Sequence, residues 1–572
     1  MIRVFSAVRE TVGPLLPRRD DYAGLRQSWR RDLLAGLTVG VVALPLALGF
    51  AVATGVPAAM GLVTAVIAGA VAAVFGGSSF QVTGPTGAMT VVLVPLVAEH
   101  GPGVVAPLAV LAGLIVIAAA LLRVGRLLDF VPWPLVEGFT IGIAVVIAAQ
   151  QVPNALGVAR SEHENALAAA VAAVGDFLRA PDLAIVWLLA VGIFLSGWMP
   201  RLHRSLPASL IAVGGVTLIA ELAPVDVATI GSLPSSLPMP VLPELAMLPE
   251  LAGPAVVVAF LAALESLMSA RASDGMTDAP VHEPNRELFG QGLANLSSGL
   301  FGGLPSTGAI ARTAVNVRSG AQTRVAALAH AAVLAGFVYA ASGLVGRIPL
   351  VALAAVLMVT AWRMVDWPNV RAVLRSTHSD AAVLVLTASA TVTFDLIRAV
   401  ELGLALAVVL AVARLAGTMQ AVQEPVIPDG VDAAAEHELL AEHVLVYRLD
   451  GPLFFGASAR FLAELTAVAD VRVVILRLSG MRMLDATGAR ALGELVEQLA
   501  GRGVTVLLKG ARPEHGRVLE AVGALVPVVA AGHLFEDLAS AVAHARTHVL
   551  EPDARPSSDL ADEQTSLSQP RR

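Results

Sequence analysis

From Leu33 to Ala98 the chain holds no Asp, Glu, Lys, Arg or His. A helix that crosses a bilayer takes about 20 apolar residues, so this stretch accommodates about three crossings. A water-soluble fold has nowhere to hide that length. Similar runs recur to about residue 418, which separates them from a secretory signal, a lone apolar run of roughly 7–15 residues near the start. Charged residues make up 15% of the chain and hydrophobic ones 56%, where soluble domains carry about 25% charged residues. The absence of cysteine excludes disulfides, thiol catalysis and Cys-based metal sites, and a net charge of -7 offers no basic footprint for nucleic acid.

Cutting the apolar runs at charges and at Gly and Pro yields about fourteen segments, among them 83–98, 133–153, 252–270, 307–317 and 323–344. Short cytoplasmic loops collect Lys and Arg. Arg18, Arg19, Arg26, Arg30 and Arg31, then Arg123 and Arg126, Arg201 and Arg204, Arg318 and Arg324, and Arg363, Arg371 and Arg375 fall on one side. The loops around Glu99, Glu162 to Asp176 and Pro224 to Glu250 fall on the other, with Arg347 and Arg398 as exceptions. An even count with both ends in the cytoplasm fits.

After Arg414 the composition becomes that of a soluble protein. His443–Leu449, Val471–Leu478 and Val504–Leu508 read as strands, and Ala489–Ala500 and Leu534–His544 as helices, the order of a small α/β domain. The chain is thus expected to divide into an N-terminal arm (1–31), a transmembrane domain (32–418), a linker (419–441), an α/β domain (442–550) and a disordered polar tail (551–572).

Two interrupted segments echo one another. Gln81–Thr90 reads QVTGPTGAMT and Leu304–Thr313 reads LPSTGAIART, each with Thr-Gly-Ala shortly after a Pro. In transporters built from inverted repeats, broken helices at matching positions present their ends to substrate near the midplane. Helix N-termini carry free N–H groups and partial positive charge, and Gly lets a ligand approach the backbone, a chemistry suited to an anion. Thr86 and Thr307 add hydroxyls. Tight helix packing is the competing use of such small residues.

Glu137, Glu265 and Arg312 lie within the apolar zone, where burial of Arg or Asp costs about 2.5–3.5 kcal/mol at a helix centre. Arg312 follows the second interrupted segment and would place a guanidinium in an anion pocket; the alternative assigns it to the basic loop with Arg318. Glu265, near Ser266 and Ser269, has three roles open to it: carrying a proton, coordinating Na+, or pairing with Arg312. Glu137 reads as structural, or at most gating.

These residues resemble the SulP family of anion permeases, which includes sulfate permeases, bacterial bicarbonate and dicarboxylate transporters and the animal exchangers related to prestin. The carrying motifs are DLLAGLTVGVVALPLALGFA at Asp32–Ala51, FQVTGPTGAMT at Phe80–Thr90, the run at Glu287–Thr323, and VVILRLSGMRMLDATGARAL near the C-terminus, which resembles a STAS domain. The resemblance implies an all-α polytopic domain of seven plus seven spans in inverted repeats, similar to uracil permeases, with a core rocking against a gate, followed by a cytoplasmic STAS domain. It implies an anion site between the third and tenth spans formed by Phe50, Gln81, Thr86, Gly87, Ala88, Thr307, Gly308, Ala311 and Arg312. Ala311 stands where prestin-like members have Ser, and Ala43 where many animal members have Gln, so backbone N–H groups carry more of the contact. Glu265 and Ser269 match the Na+ positions of sodium-coupled members, which have Asp; the longer Glu favours H+. In the STAS loop, Asp485, Thr487 and Gly488 flank Ala486, which replaces the phosphorylatable serine of anti-sigma-factor antagonists, and Thr487 is expected to cap a helix starting near Gly488. That makes the domain a docking or dimer-supporting module.

The function expected is secondary active transport of a small inorganic or organic anion, with sulfate first and bicarbonate or a C4-dicarboxylate next. It is expected to be coupled to H+ or Na+, in a homodimer in the cell membrane, with no cofactor, no nucleic acid and no enzymatic step. A passive channel, a nucleobase permease, or a sensor whose output is the STAS domain are the competing readings.

Overall fold

A computed structural model describes residues 13–550, apart from 23, 127–130, 160–162, 164, 203–206, 224, 244–246, 395, 418–419, 425–442, 455–470 and 525. Most of the linker, the whole tail, Glu162 and Arg204 lie outside the described residues. The chain forms two compact units, Met1–Ala407 and Val408–Arg572.

The first unit is helical. Its first half runs α1 (Leu25–Thr54), α2 (Ala58–Phe75), α3 (Gly87–His100), α4 (Val105–Leu121), α5 (Trp133–Leu156), α6 (Ala166–Arg179), α7 (Leu183–Leu202) and α8 (Ala208–Leu222). The second half runs α9 (Leu248–Asp274), α10 (Pro284–Leu300), α11 (Ile310–Arg318), α12 (Val325–Val345), α13 (Leu350–Met364), α14 (Trp367–Ser376), α15 (His378–Thr393) and α16 (Leu396–Gly417), and the boundary between units falls inside α16. Helices α6 and α14 are amphipathic, as is the short α11. Helices α6 and α14 each follow the fifth helix of their half, so setting them aside leaves two sets of seven, as the resemblance implies. Seven described helices are long and apolar enough to cross a bilayer, and α3, α8 and most of α7 are shorter apolar helices. The sequence reads 162–176 as an acidic loop, yet α6 forms there, its N-terminus capped by the Asn165 side chain. With 14 residues it is too short to cross a bilayer, and Asp176 and Arg179 in its last turn read as loop charges.

The interrupted segments are short. Extended chain precedes α3, which has 14 residues, and α11, which has 9. At 1.5 Å per residue these span about 21 and 14 Å, well short of a hydrocarbon core of roughly 30 Å. The segment 307–317, expected as one span, is therefore an extended stretch followed by half a helix. Elsewhere small residues bring helix backbones together: a Cβ on Gly113 of α4 would meet the Leu296 nitrogen of α10 at 2.5 Å.

Glu287, fully inside the unit at 1% exposure, braces the first crossing segment. Its Oε2 accepts from the Gly77 and Ser78 N–H groups at 2.8 and 2.9 Å, and its Oε1 from Gln81 Nε2 at 2.6 Å and Gln291 Nε2 at 2.9 Å. Truncating it takes the acceptor from the buried Ser78 N–H and Gln81 amide and from the part-buried Gly77 N–H, so Glu287→Ala is expected to lower stability by about 3 kcal/mol or more. An unchanged thermal unfolding midpoint in detergent would contradict that. Arg324, read as a loop cation, is 2% exposed, donates to the Gly76 carbonyl and lies 3.7 Å from Asp21.

The second unit carries a sheet ordered β3 (Gln420–Glu424), β4 (Val444–Leu453), β5 (Val473–Arg477), β7 (Thr505–Lys509) and β8 (Leu534–Phe535), with β6 (Met481–Leu484) on β4. All pairs are parallel except β3 with β4. Alternation sets two cores. Val474 and Leu476 face α17 (Ala486–Gly501) and α18 (Pro513–Val522), and Val473 and Ile475 face α20 (Leu538–Leu550), which follows the short α19 (Val526–Ala530). Strand β3 lies in the segment read as linker. It has no apolar alternation, and pairing with β4 and the ion pairs of Glu424 with Arg448 and Arg477 hold it. The helix read as Leu534–His544 is instead β8 followed by α20. The cap expected of Thr487 is made by Asp485, whose Oδ1 accepts from the Gly488 N–H at 2.7 Å, while Thr487 is exposed in the first turn. Gly488 is required by closeness: a Cβ there would stand 2.3 Å from the Leu453 carbonyl oxygen.

Candidate functional site

The two interrupted segments cross. Thr83–Gly84 (β1) pairs antiparallel with Thr307–Gly308 (β2), Thr83 opposite Gly308 and Gly84 opposite Thr307, and the Ala309 N–H donates to the Val82 carbonyl at 2.9 Å. Chains running in opposite directions are what an inverted repeat produces. Two residues separate β1 from α3 and one separates β2 from α11, so both N-terminal ends lie next to the crossing. The sequence echo aligns Thr86-Gly87 with Thr307-Gly308; the structure pairs Thr83-Gly84 with them instead. Thr-Gly occurs twice in the first segment, and only backbone pairing distinguishes the copies.

Helix α3 begins after Thr86 and α11 after Ala309, and the first intrahelical donors are the N–H groups of Thr90 and Thr313. The N–H groups of Gly87, Ala88 and Met89, and of Ile310, Ala311 and Arg312, are the unpaired donors that every helix start leaves. Each start also carries roughly half a positive charge. Gly87 and Ala88 are buried, with Ile147 and Phe50 against Gly87; Ala311 is exposed.

Arg312 is 2% exposed while Arg318 is exposed, which places it with the crossing and not with the basic loop. Its Nη2 donates to the Pro85 carbonyl at 2.7 Å, and Nη1 has no hydrogen-bond partner among the described residues. The guanidinium lies against Gly84, where a Cβ would come within 2.5 Å of Nη1.

Glu265 projects from α9 to the same place. Its Oε2 accepts from Thr86 Oγ1 at 3.0 Å and from Thr307 Oγ1 at 3.1 Å, one hydroxyl from each segment. Among the described residues no ion pair joins it to Arg312. Around it, Ser266 Oγ accepts from the Gly308 N–H at 2.9 Å, and Ser269 Oγ donates to Thr313 Oγ1, which also accepts from the Val82 N–H. Ser269 thus braces the crossing one turn away from Glu265.

Gln81 is spent otherwise. Its amide donates to Glu287 and lies against Gly308, so it supports the crossing from behind. Glu137 sits apart, accepting from Trp133 Nε1 at 2.9 Å and Asn369 Nδ2 at 3.5 Å, in keeping with a structural role. His330 of α12 was missed, although it too is an ionisable residue in an apolar run. It is wholly buried, has neither ring nitrogen bonded among the described residues, and stands near Gly69 of α2. A cavity of about 340 Å³ lined by Met60, Val63, Pro234, Phe301 and Phe337 shares no residue with this site.

Residues 29–387 match the sulfate permease family, and residues 440–541 match the STAS domain. The chain belongs to the sulfate permease family. The putative sulfate transporter YvdB of Bacillus subtilis (strain 168) is 33% identical over 523 residues, covering 89% of this chain and 96% of that protein. The bicarbonate transporter BicA of Synechocystis sp. is 30% identical over 513 residues, covering 86% and 89%. Among solved structures, the transmembrane domain of a cyanobacterium bicarbonate transporter BicA superposes with a TM-score of 0.60 at 31% identity, over 65% of this chain and 97% of that one. The murine Solute Carrier 26 family member A9 anion transporter in the inward-facing state superposes with a TM-score of 0.80 over 94% of each chain; at 18% identity that is a likeness of fold. The resemblance carried by the motifs at 32–51, 80–90 and 287–323 is therefore family membership. This sulfate permease family member is a multi-pass membrane anion transporter with a C-terminal STAS domain, not an enzyme.

Proposed function

We propose that the chain is a secondary active transporter of a small oxyanion, sulfate first and bicarbonate or a C4-dicarboxylate next, driven by H+ at Glu265. One observation carries this reading: a single carboxylate oxygen receives a hydroxyl from each of the two segments whose helix starts and guanidinium form the positive ground. The relatives named for sulfate and for bicarbonate support the substrate class.

Ionised, Glu265 places a negative charge beside the anion's seat and draws both threonine protons to Oε2. Protonated, it loses the charge and itself becomes a donor, so Thr86 and Thr307 are free to turn their O–H groups to the anion. The anion then rests on the N–H groups of α3 and α11 and on Arg312 Nη1. Anion and proton load together, which is symport. The crossed segments, bonded to α9 through Ser266 and Glu265, carry the site as one block against the remaining helices. Na+ on Glu265 with the same hydroxyl oxygens is the second reading, favoured by the carboxylate and threonine oxygens gathered there. The arginine-rich loops support a topology with both termini in the cytoplasm, and a homodimer is the expected assembly.

Uptake of labelled sulfate, bicarbonate and fumarate into proteoliposomes under separate H+ and Na+ gradients tests this. Accumulation of one anion against its gradient under inward H+ is expected. Accumulation under Na+ alone moves the coupling to Na+, ohmic current without accumulation makes the protein a channel, and competition by uracil revives a nucleobase permease.

A further inference from the structure

The STAS unit holds a group of side chains that anion transport does not use. His544 and His548 stand one turn apart on the same face of α20, and His533 immediately precedes the edge strand β8. One ring nitrogen of each lies within 4.8 Å of the other two. We infer that His533, His544 and His548 form a site for a divalent transition-metal ion, Zn2+ the best fit, that ties the last helix to the edge of the sheet.

The geometry is the first support. Two nitrogens bound to Zn2+ at about 2.0–2.1 Å with a tetrahedral angle between them stand roughly 3.3 Å apart. His544 Nε2 and His548 Nε2 are separated by 3.3 Å. The third ring sits edge-on to both, with centroids at 5.3 and 5.4 Å, so a small tilt completes a three-nitrogen face and leaves the fourth position to water.

The donor set is the second. Three imidazoles without a carboxylate suit Zn2+, Co2+, Ni2+ or Cu2+ and not Ca2+ or Mg2+. All three side chains are partly exposed, so an ion has a path in. Strand β8 has two residues and pairs only with β7, so a shared ion would fasten what the ladder holds weakly.

The test uses the full chain in detergent, stripped with EDTA and titrated with Zn2+ or Co2+. One ion per chain is expected, with a Kd in the micromolar range or below. Bound Co2+ is expected to show the intense visible absorption of four-coordinate geometry, and Zn2+ to raise the unfolding temperature of the STAS unit. His544→Gln and His548→Gln are each expected to weaken binding by about 10-fold or more, and His443→Gln to leave it unchanged. Failure of the wild-type chain to bind stoichiometrically, a weak octahedral Co2+ spectrum, or a His533→Gln/His544→Gln/His548→Gln chain that binds like wild type would each overturn the site. The spectrum of the wild-type protein decides this even where a variant fails to fold, and none of these outcomes depends on which anion is carried.

Discussion

Arg312→Ala is expected to weaken anion binding by about 30- to 1,000-fold, the loss of roughly 2–4 kcal/mol that follows removal of a buried, hydrogen-bonded charge from a binding site. Arg312 contributes in two ways. Nη1 is a buried donor without a partner among the described residues, and Nη2 donates to the Pro85 carbonyl just ahead of the α3 start. Alanine removes both. Arg312→Lys keeps a charge but lacks the planar fork that reaches Pro85 and the anion together. It is expected to fall between wild type and alanine. Binding of sulfate to purified variants, measured by calorimetry alongside a check of folding, decides this. Wild-type affinity in the alanine variant would remove Arg312 from the site.

Glu265→Gln is expected to flatten the dependence of uptake on pH. In the wild-type chain uptake is expected to rise as the loading side is acidified, because protonation removes the repelling charge and frees the threonine hydroxyls. Glutamine is neutral at every pH and can still accept from Thr86 and Thr307, so it imitates the loaded carboxyl without releasing a proton. Anion exchange down a gradient should therefore persist while accumulation driven by an H+ gradient is lost. Pronounced pH dependence in the glutamine variant would move the coupling group elsewhere, with His330 the next residue to test.

The membrane part was legible because lipid imposes a length: about 20 apolar residues per crossing leave a mark that no packing detail erases. Helix α14 was not, since its polar face lowers its mean hydropathy, and α6 was not, since it is short and carries Asp176 and Arg179. The half-helix at Ile310–Arg318 was visible only as a Gly- and Pro-broken segment. In the STAS unit β4, β5 and β7 stood out by their β-branched residues, and β3, β6 and β8 did not. The cap did not, because Asp485 and Thr487 are both good N-cap residues and the start of the helix decides between them.

By itself the sequence determined the class of molecule, about fourteen apolar segments, the soluble C-terminal domain and the pair of broken segments, all properties written locally along the chain. Only the tertiary structure decided which Thr-Gly pairs with which. It alone showed Gln81 turned onto Glu287, and Thr86 and Thr307 meeting Glu265 across 179 and 42 residues. Local composition fixes how far a segment must travel through lipid. Which side chains meet at its midpoint depends on the crossing of segments hundreds of residues apart, and that crossing is set by backbone pairing and by helix starts that no single stretch contains.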